Sequence, residues 1–174
     1  VLADLMTIRE HMTRLEGLKL CFIGDGNNMA NSLIVGGLKC GMDVSVACPE
    51  GYDPDQRVLD FAGTVTDAKF ALCQDPLEAA ANADVVITDV WASMGQEEER
   101  ERRQKAFGGL YQVNEAVMAA ARPGAMVQHC LPAHRGEEIT AEVFETHAGE
   151  IFDEAENRLH AQKAVLYLLM GEQV

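Results

Sequence analysis

Several features that would direct a protein to a membrane or to nucleic acid are missing from this sequence. No apolar run approaches the ~20 residues of a membrane-spanning helix, and no N-terminal segment has the pattern of a signal peptide. Basic residues are few, because 14 Lys and Arg stand against 28 Asp and Glu and leave a net charge of −14. Nucleic acids and anionic membranes bind basic surfaces, so we expect neither as a partner.

The sequence also lacks any Cys-x-x-Cys pair. Its five cysteines are Cys21, Cys40, Cys48, Cys73 and Cys130. An odd set, with several members in or beside apolar strand-like runs, favours reduced thiols over a disulfide framework or a zinc site. The cysteines therefore predict a cytoplasmic protein without a structural metal.

What the sequence does contain is a regular alternation of strand-like and helix-like segments over 174 residues. The predicted strands are 18–23, 43–48, 70–73, 84–88, a run that starts at 125, and 150–152. The predicted helices are 1–15, 27–39, 54–63, 75–82, 97–107, 113–121, 140–146 and 157–170. This alternation predicts one α/β domain over residues 1–174, with a parallel sheet between two helix layers in a Rossmann-like, three-layer arrangement.

A glycine-containing turn, Gly24 to Asn28, follows the first predicted strand. Strand, glycine turn and helix together are typical of dinucleotide-binding folds, and Glu50 after the second strand offers a partner for ribose. The fingerprint is incomplete, however, because Met29 follows where a third glycine is expected. A tight turn in which asparagine caps the helix explains the same residues, so both interpretations stay open.

Polar clusters also follow two later strands. One begins at Asp89, and the other is the stretch His129 to Pro132, where proline forces the chain out of the sheet. Since parallel strands end at one sheet edge, these clusters and the asparagines of the first turn predict a single crevice suited to a small zwitterion. A buried structural His and Cys is an alternative for the last cluster.

Two further roles for this last cluster are weaker. A covalent Cys130 nucleophile is disfavoured, because the neighbouring His129 points to the opposite face of a strand. A metal site formed by the histidines and glutamates nearby has no recognised spacing. The histidines and glutamates in question are His129, His134, Glu137 and Glu138.

Three separated motifs, in this order, resemble those of ornithine carbamoyltransferases. They are Gly24-Asp25-Gly26-Asn27-Asn28, Asp89-Val90-Trp91-Ala92-Ser93-Met94-Gly95-Gln96-Glu97 and His129-Cys130-Leu131-Pro132. The resemblance extends from about Leu2 to about Met170 and covers only the second, amino-acid-binding domain of that fold. The family's carbamoyl-phosphate-binding domain is not among these residues, which suggests a fragment or a processed product.

The resemblance implies roles for individual residues. Ornithine would be bound by Asn28, Asp89, Ser93 and Met94. Carbamoyl phosphate would be bound by Cys130, Leu131 and Arg158, and more weakly by His129. The residues implied in catalysis are Cys130, Asp89 and Arg158, with neither a cofactor nor a metal. For Arg158 the alternative is a surface ion pair with Glu154 on the same helical face.

The implied reaction transfers the carbamoyl group from carbamoyl phosphate to the δ-amine of L-ornithine, giving L-citrulline and phosphate. It belongs to amino-acid metabolism, either arginine biosynthesis and the urea cycle or arginine breakdown. The resemblance also implies a parent enzyme that is a homotrimer or a multiple of trimers. We expect the chain alone to be inactive, and its first and last helices to expose apolar surface for the other domain.

Three other functions remain open from the sequence. A carbamoyltransferase for another amine or modified amino acid is the nearest, although Ser93-Met94-Gly95 favours free ornithine. A dehydrogenase domain that binds NAD(P) through Gly24–Asn28 is the second. A pure interaction module is the third.

Overall fold

The sheet contains five parallel strands in the order β3-β2-β1-β4-β5. The computed structural model describes residues 1–92 and 99–171. The strands are β1 (Lys19–Ile23), β2 (Asp43–Ala47), β3 (Phe70–Cys73), β4 (Val85–Thr88) and β5 (Met126–His129). The helices are α1 (Leu2–Met12), α2 (Asn28–Lys39), α3 (Gln56–Ala62), α4 (Pro76–Ala80), α5 (Arg100–Phe107), α6 (Glu115–Ala120), α7 (Ala141–Thr146) and α8 (Ala148–Met170).

Alternate side chains of each central strand pack against opposite helix layers. In β1, Leu20 and Phe22 face the side covered by α1, α2 and α3. Cys21 and Ile23 face the side covered by α4, α5, α6 and α7. A strand that is apolar on both faces is the expected pattern for a parallel sheet inside two helix layers. The predicted three-layer α/β/α fold is therefore confirmed.

The strand order reverses between β1 and β4. The chain moves outwards from β1 through β2 to β3, and then returns to place β4 on the other side of β1. In an open parallel sheet, the crevice at such a reversal is where ligands bind, because the loops leaving the two adjacent strands diverge there. The loops after β1 and β4 flank this crevice.

One predicted element is wrong. Residues 150–152, predicted as a final strand, lie inside α8, which begins nine residues before the predicted helix start at 157. The apolar pair at 151–152 was too short to distinguish a strand from a helix by periodicity. Ile151 is buried while Phe152 is exposed, as expected for a helix lying along a surface.

The helix α8 protects the free edge of β5. The N–H groups of Val127 and His129 point away from the sheet, since they are two residues apart on an edge strand. Glu150 Oε2 accepts a hydrogen bond from Val127 N at 2.7 Å, and Glu154 Oε2 accepts one from His129 N at 2.9 Å. Glutamates one helical turn apart thus replace a missing neighbouring strand.

No helix in the described part of the chain combines the length and the apolar character that crossing a membrane requires.

Candidate functional site

A cavity of about 1110 Å³ opens at the carboxyl edge of the sheet. It lies between the loops after β1, β4 and β5 and the helices α1 and α8. Five of the residues predicted from the sequence line it: Asn28, Asp89, Cys130, Leu131 and Arg158. Ser93 and Met94, the other two predicted ornithine ligands, lie outside the described residues.

Asp89 and Cys130 are in contact on the wall of this cavity. The Cys130 thiol donates a hydrogen bond to Asp89 Oδ1 at 3.1 Å, and the same oxygen accepts from the Val90 N–H at 2.8 Å. Burial, and then the negative charge of Asp89, raise the pKa of the Cys130 thiol. Because a nucleophilic cysteine must be a thiolate, this environment supports a hydrogen-bonding role for Cys130 over a covalent one.

The first turn places Asn28 at the cavity and uses Asn27 as a helix cap. The Asn27 side chain accepts a hydrogen bond from Met29 N at 2.8 Å, which satisfies an N-terminal donor of α2. Asn28, the first residue of α2, is exposed. The asparagine cap predicted from the sequence is therefore present, and Asn28, which the resemblance implies in ornithine binding, lines the cavity.

Gly26 serves a different purpose from a dinucleotide-binding glycine. A Cβ at this position would lie 2.3 Å from Asp53 C and from Pro54 N. The Gly26 N–H also donates to the Tyr52 carbonyl at 2.8 Å. In the dinucleotide fingerprint the second glycine lets the backbone approach a pyrophosphate. Here the loop between β2 and α3 occupies that approach.

His129 lies outside the group that lines the cavity. Its side chain is fully buried, and Nδ1 accepts a hydrogen bond from the Leu131 N–H at 3.0 Å. Nδ1 must therefore be unprotonated, so Nε2 carries the proton and donates to Glu138 Oε1 at 3.0 Å. With both nitrogens occupied, His129 braces the turn after β5, and its weakly implied contact with carbamoyl phosphate has no support in this geometry.

Arg158 reaches the cavity from α8. Its Nη1 donates to the Cys130 carbonyl at 3.4 Å. The ion pair with Glu154 considered from the sequence does not occur among the described residues, because the Glu154 side chain is buried against β5. The Arg158 guanidinium is largely exposed and keeps most of its donors available to a ligand.

Leu131 adopts an uncommon backbone conformation beside this guanidinium. Its φ of 52° lies in the left-handed region, which costs a residue with a Cβ about 1–2 kcal/mol. Such a conformation persists only where the surroundings impose it, and it is most common at binding sites. The hydrogen bond from Leu131 N to His129 is one of the contacts that impose it.

Comparison with known proteins identifies the family of this domain. Residues 16–169 match the family model described as the Asp/Orn binding domain of aspartate/ornithine carbamoyltransferase. The chain belongs to the aspartate/ornithine carbamoyltransferase family.

Individual members of the carbamoyltransferase family agree with this assignment. The chain is 53% identical to the ornithine carbamoyltransferase of Carboxydothermus hydrogenoformans, over 98% of the chain and 56% of that protein. It is 55% identical to that of Gloeobacter violaceus, over 98% and 55%. The crystal structure of ornithine carbamoyltransferase from Pyrococcus furiosus superposes with a TM-score of 0.89 at 49% identity, over 99% of this chain and 56% of that one. The chain thus spans about half the length of the curated relatives it matches.

Arg103 is a residue of this carbamoyltransferase domain that sequence reasoning missed. Helix 97–107 was predicted to have a solvated charged face, yet Arg103 is only 8% exposed. Its guanidinium donates to Asp25 Oδ2 at 2.5 Å, to the Trp91 carbonyl at 2.9 Å and to Glu99 Oε2 at 3.2 Å. Burial opposes its charge, but the hydrogen bond and charge of Asp25 outweigh burial and raise the Arg103 pKa.

These contacts join two of the three motifs that lie around the cavity. Asp25 belongs to the turn after β1, and Trp91 follows the cavity residue Asp89 by two positions. Only one sequence signal could have identified Arg103: it lies four residues before the buried Phe107, on the same face of α5.

Two groups of metal-binding residue types occur in the described part of this carbamoyltransferase domain. Asp89, His129 and Cys130 form one, and His134, Glu137 and Glu138 form the other. Both nitrogens of His129 are already hydrogen-bonded, and Arg100 Nη2 lies 2.5 Å from Glu137 Oε1. Neither group therefore presents a complete set of free ligand atoms.

Proposed function

We propose that this chain is the ornithine-binding domain of an ornithine carbamoyltransferase. The observation that carries the proposal is the convergence of Asp89, Cys130 and Arg158 at one cavity. This cavity lies where the strand order of the sheet reverses. The match over residues 16–169 shows the family to which the domain belongs. The relatives described above are named for the same reaction.

The charge of the cavity suits a cationic amino acid. Asp89 is 92% buried in a chain with a net charge of −14, and a buried carboxylate gains most from a cationic partner. We assign Asp89 to the α-ammonium of ornithine. The Asn28 amide, Ser93 and the Met94 N–H would donate to its α-carboxylate.

The transfer step then needs a neutral amine near Cys130. The δ-ammonium of ornithine has no lone pair, so it must first lose a proton. Its nitrogen forms a bond to the carbamoyl carbon as the C–O bond to phosphate breaks, and the second amine proton leaves with the phosphate. The Leu131 carbonyl would hold the attacking amine, and Arg158 would donate to the phosphate or to the developing oxyanion.

The rest of the carbamoyl-phosphate site would come from a second domain and from a neighbouring subunit. We propose a homotrimer, or a multiple of trimers, in the cytoplasm. One relative from Pyrococcus furiosus is named as anabolic, which supports a role in arginine biosynthesis. We also propose a role in the urea cycle where the host has one.

Calorimetric titration of the chain with L-ornithine tests the proposal. We expect saturable binding that is lost in Asp89→Asn, because the amide removes the charge that pairs with the ammonium. Asp67→Asn is the matched control, since Asp67 is exposed and precedes β3 at the opposite edge of the sheet. Its affinity for ornithine should equal that of the unmodified chain.

Three other ligands separate the alternatives. Putrescine lacks the carboxylate, N-α-acetylornithine lacks the α-ammonium, and NAD represents the dehydrogenase interpretation. Binding of NAD without ornithine would overturn the proposal. Preference for putrescine or for the acetylated amino acid would move the chain to a carbamoyltransferase of another amine.

A further inference from the structure

Two carboxyl groups are buried against each other at the edge of the cavity. Asp4, in the first turn of α1, is 2% exposed, and Glu154, in the middle of α8, is 1% exposed. Their side chains are within hydrogen-bonding contact, and both line the cavity that holds Asp89 and Cys130. Two carboxylates this close repel each other strongly in a region that excludes water.

The hydrogen bonds around the pair leave one carboxyl oxygen without a donor. Glu154 Oε2 accepts from His129 N at 2.9 Å, and Asp4 Oδ2 lies 2.7 Å from the nitrogen of Val1. Asp4 Oδ1 is buried and has no donor among the described residues. Buried oxygens without a donor are rare and costly. A proton on Glu154 would supply that donor and remove the repulsion at the same time.

The surroundings indicate which group carries the proton. Asp4 lies in the first turn of α1, where the helix dipole favours an anion. Burial, and then the adjacent Asp4 carboxylate, raise the pKa of Glu154 to about 9. Glu154 is therefore the acid of the pair in neutral solution, and Asp4 is the carboxylate.

We propose that Asp4 and Glu154 share one proton, and that this acid–carboxylate pair is a positioning element for the Cys130 segment, residues 129–131. Its role in binding rests on the function proposed above. Glu154 fixes the main chain at His129, one residue before the thiol that donates to Asp89. The Asp4 carbonyl accepts from the Gln128 side chain at 3.1 Å. The pair thus connects the end of β5 to both α1 and α8.

Other charges around the pair explain why one proton is needed. Facing it are the Val1 ammonium just before α1, Asp89 after β4, the Cys130 thiol after β5 and Arg158 on α8. With Glu154 ionised, the carboxylates of Asp4, Asp89 and Glu154 would surround one half-buried thiol. The Val1 ammonium pairs with Asp4 Oδ2 and Arg158 is exposed and screened by solvent, so the two cations offset only part of that charge.

The pH dependence of the protein's stability follows from the raised pKa of Glu154. The folded protein keeps the Glu154 proton up to about pH 9, whereas the unfolded chain releases it near the ordinary value of 4.5. The stability contributed by the proton is therefore complete below pH ~4.5 and falls as the pH rises towards 9. Glu154→Gln replaces the acid by a permanent donor and acceptor, so this decline should disappear in that variant.

The first experiment is infrared spectroscopy of the chain at pH 7. We expect a carbonyl band of a protonated carboxyl group that is absent from Glu154→Gln and shifted in frequency in Asp4→Asn, where the acid keeps its burial but loses its carboxylate partner. The control Glu156→Gln should keep the band, because Glu156 is exposed on the same helix. If the unmodified chain has no such band, the shared proton is refuted, whether or not ornithine binds.

The second experiment measures positioning through hydrogen exchange of the His129 amide. Protection should be similar in the unmodified chain and in Glu154→Gln, since glutamine keeps the acceptor. It should fall about tenfold or more in Glu154→Ala, where the buried donor loses its partner. Equal protection in the alanine variant would refute the positioning role. If that variant does not fold, a loss of protection in the glutamine variant would refute it.

Discussion

Arg103 connects the two loops that flank the cavity. It joins the turn that carries Asn28 to the loop that carries Asp89, through Asp25 and the Trp91 carbonyl. The Cζ atom of its guanidinium also lies 5.4 Å from the centre of the Tyr52 ring. A buried guanidinium with this many partners is a structural anchor for both loops, because removing it leaves a nearly buried carboxylate unpaired.

Arg103→Met should therefore lower the free energy of unfolding by roughly 3–5 kcal/mol, since Asp25 loses its cationic partner. Ornithine affinity should fall as well, because the two loops lose their connection. Denaturant unfolding and calorimetry measure the two effects. Arg102→Met, on the exposed face of the same helix, should change stability by no more than about 0.5 kcal/mol. Equal effects of the two substitutions would contradict the anchoring role.

At the scale of elements, the junction between β1 and α2 depends on a close approach of two loops. Gly26 lies so near the backbone of residues 53–54 that no Cβ fits between them. The loop after β2 is thereby held against the turn that presents Asn28. This packing explains the glycine pattern without a nucleotide.

Gly26→Ala should cost about 3 kcal/mol or more, at the upper end of overpacking penalties, because main-chain atoms cannot move aside as a side chain can. Gly149→Ala is the matched control. Gly149 is in α8, and an added Cβ there meets nothing within 4 Å, so alanine should stabilise by up to about 1 kcal/mol. Thermal unfolding of both variants gives the comparison, and a tolerated alanine at 26 would show that the loops separate readily.

Helix α8 also protects the edge strand β5 from pairing with another chain. The outward N–H groups of β5 are accepted by Glu150 and Glu154, so another chain cannot pair with them. Glu154 thus has two tasks, since it covers the sheet edge and holds the main chain beside the thiol of the cavity.

For the whole molecule, the exposed apolar surface is concentrated near the end of α8. Leu166, Tyr167, Leu168, Leu169 and Met170 are each at least 56% exposed. Apolar side chains in such a group are typical of surfaces that contact another domain or subunit. We expect the family's carbamoyl-phosphate-binding domain to lie against this helix and α1.

The chain alone should therefore form no measurable citrulline from ornithine and carbamoyl phosphate, because Arg158 supplies only part of the charge that carbamoyl phosphate needs. A colorimetric citrulline assay at saturating concentrations of both substrates checks this. The positive control is a full-length family member, such as the Gloeobacter violaceus enzyme. Appreciable turnover by the 174-residue chain would contradict the proposed division of the site.

Much of this molecule was predictable from short-range patterns. Strand and helix alternation depends on local apolar periodicity, so the three-layer fold and the position of Asp89 and Cys130 at strand ends followed from the sequence. The Asn27 cap followed from its place before a helix. By contrast, residues 150–152 were predicted as a strand, because a short apolar run has no distinguishable period.

The sequence by itself determined the fold class, the edge of the sheet that carries the cavity and the residue types there, because these depend on neighbours within a few positions. Only the tertiary structure decided that Arg103 and Glu154 belong to this region and that both ring nitrogens of His129 are already hydrogen-bonded. Their partners, Asp25, Asp4 and Glu138, come from other segments of the chain. A charged residue in a helix has the same local pattern whether water or a distant carboxylate surrounds it, and burial alone separates the two cases.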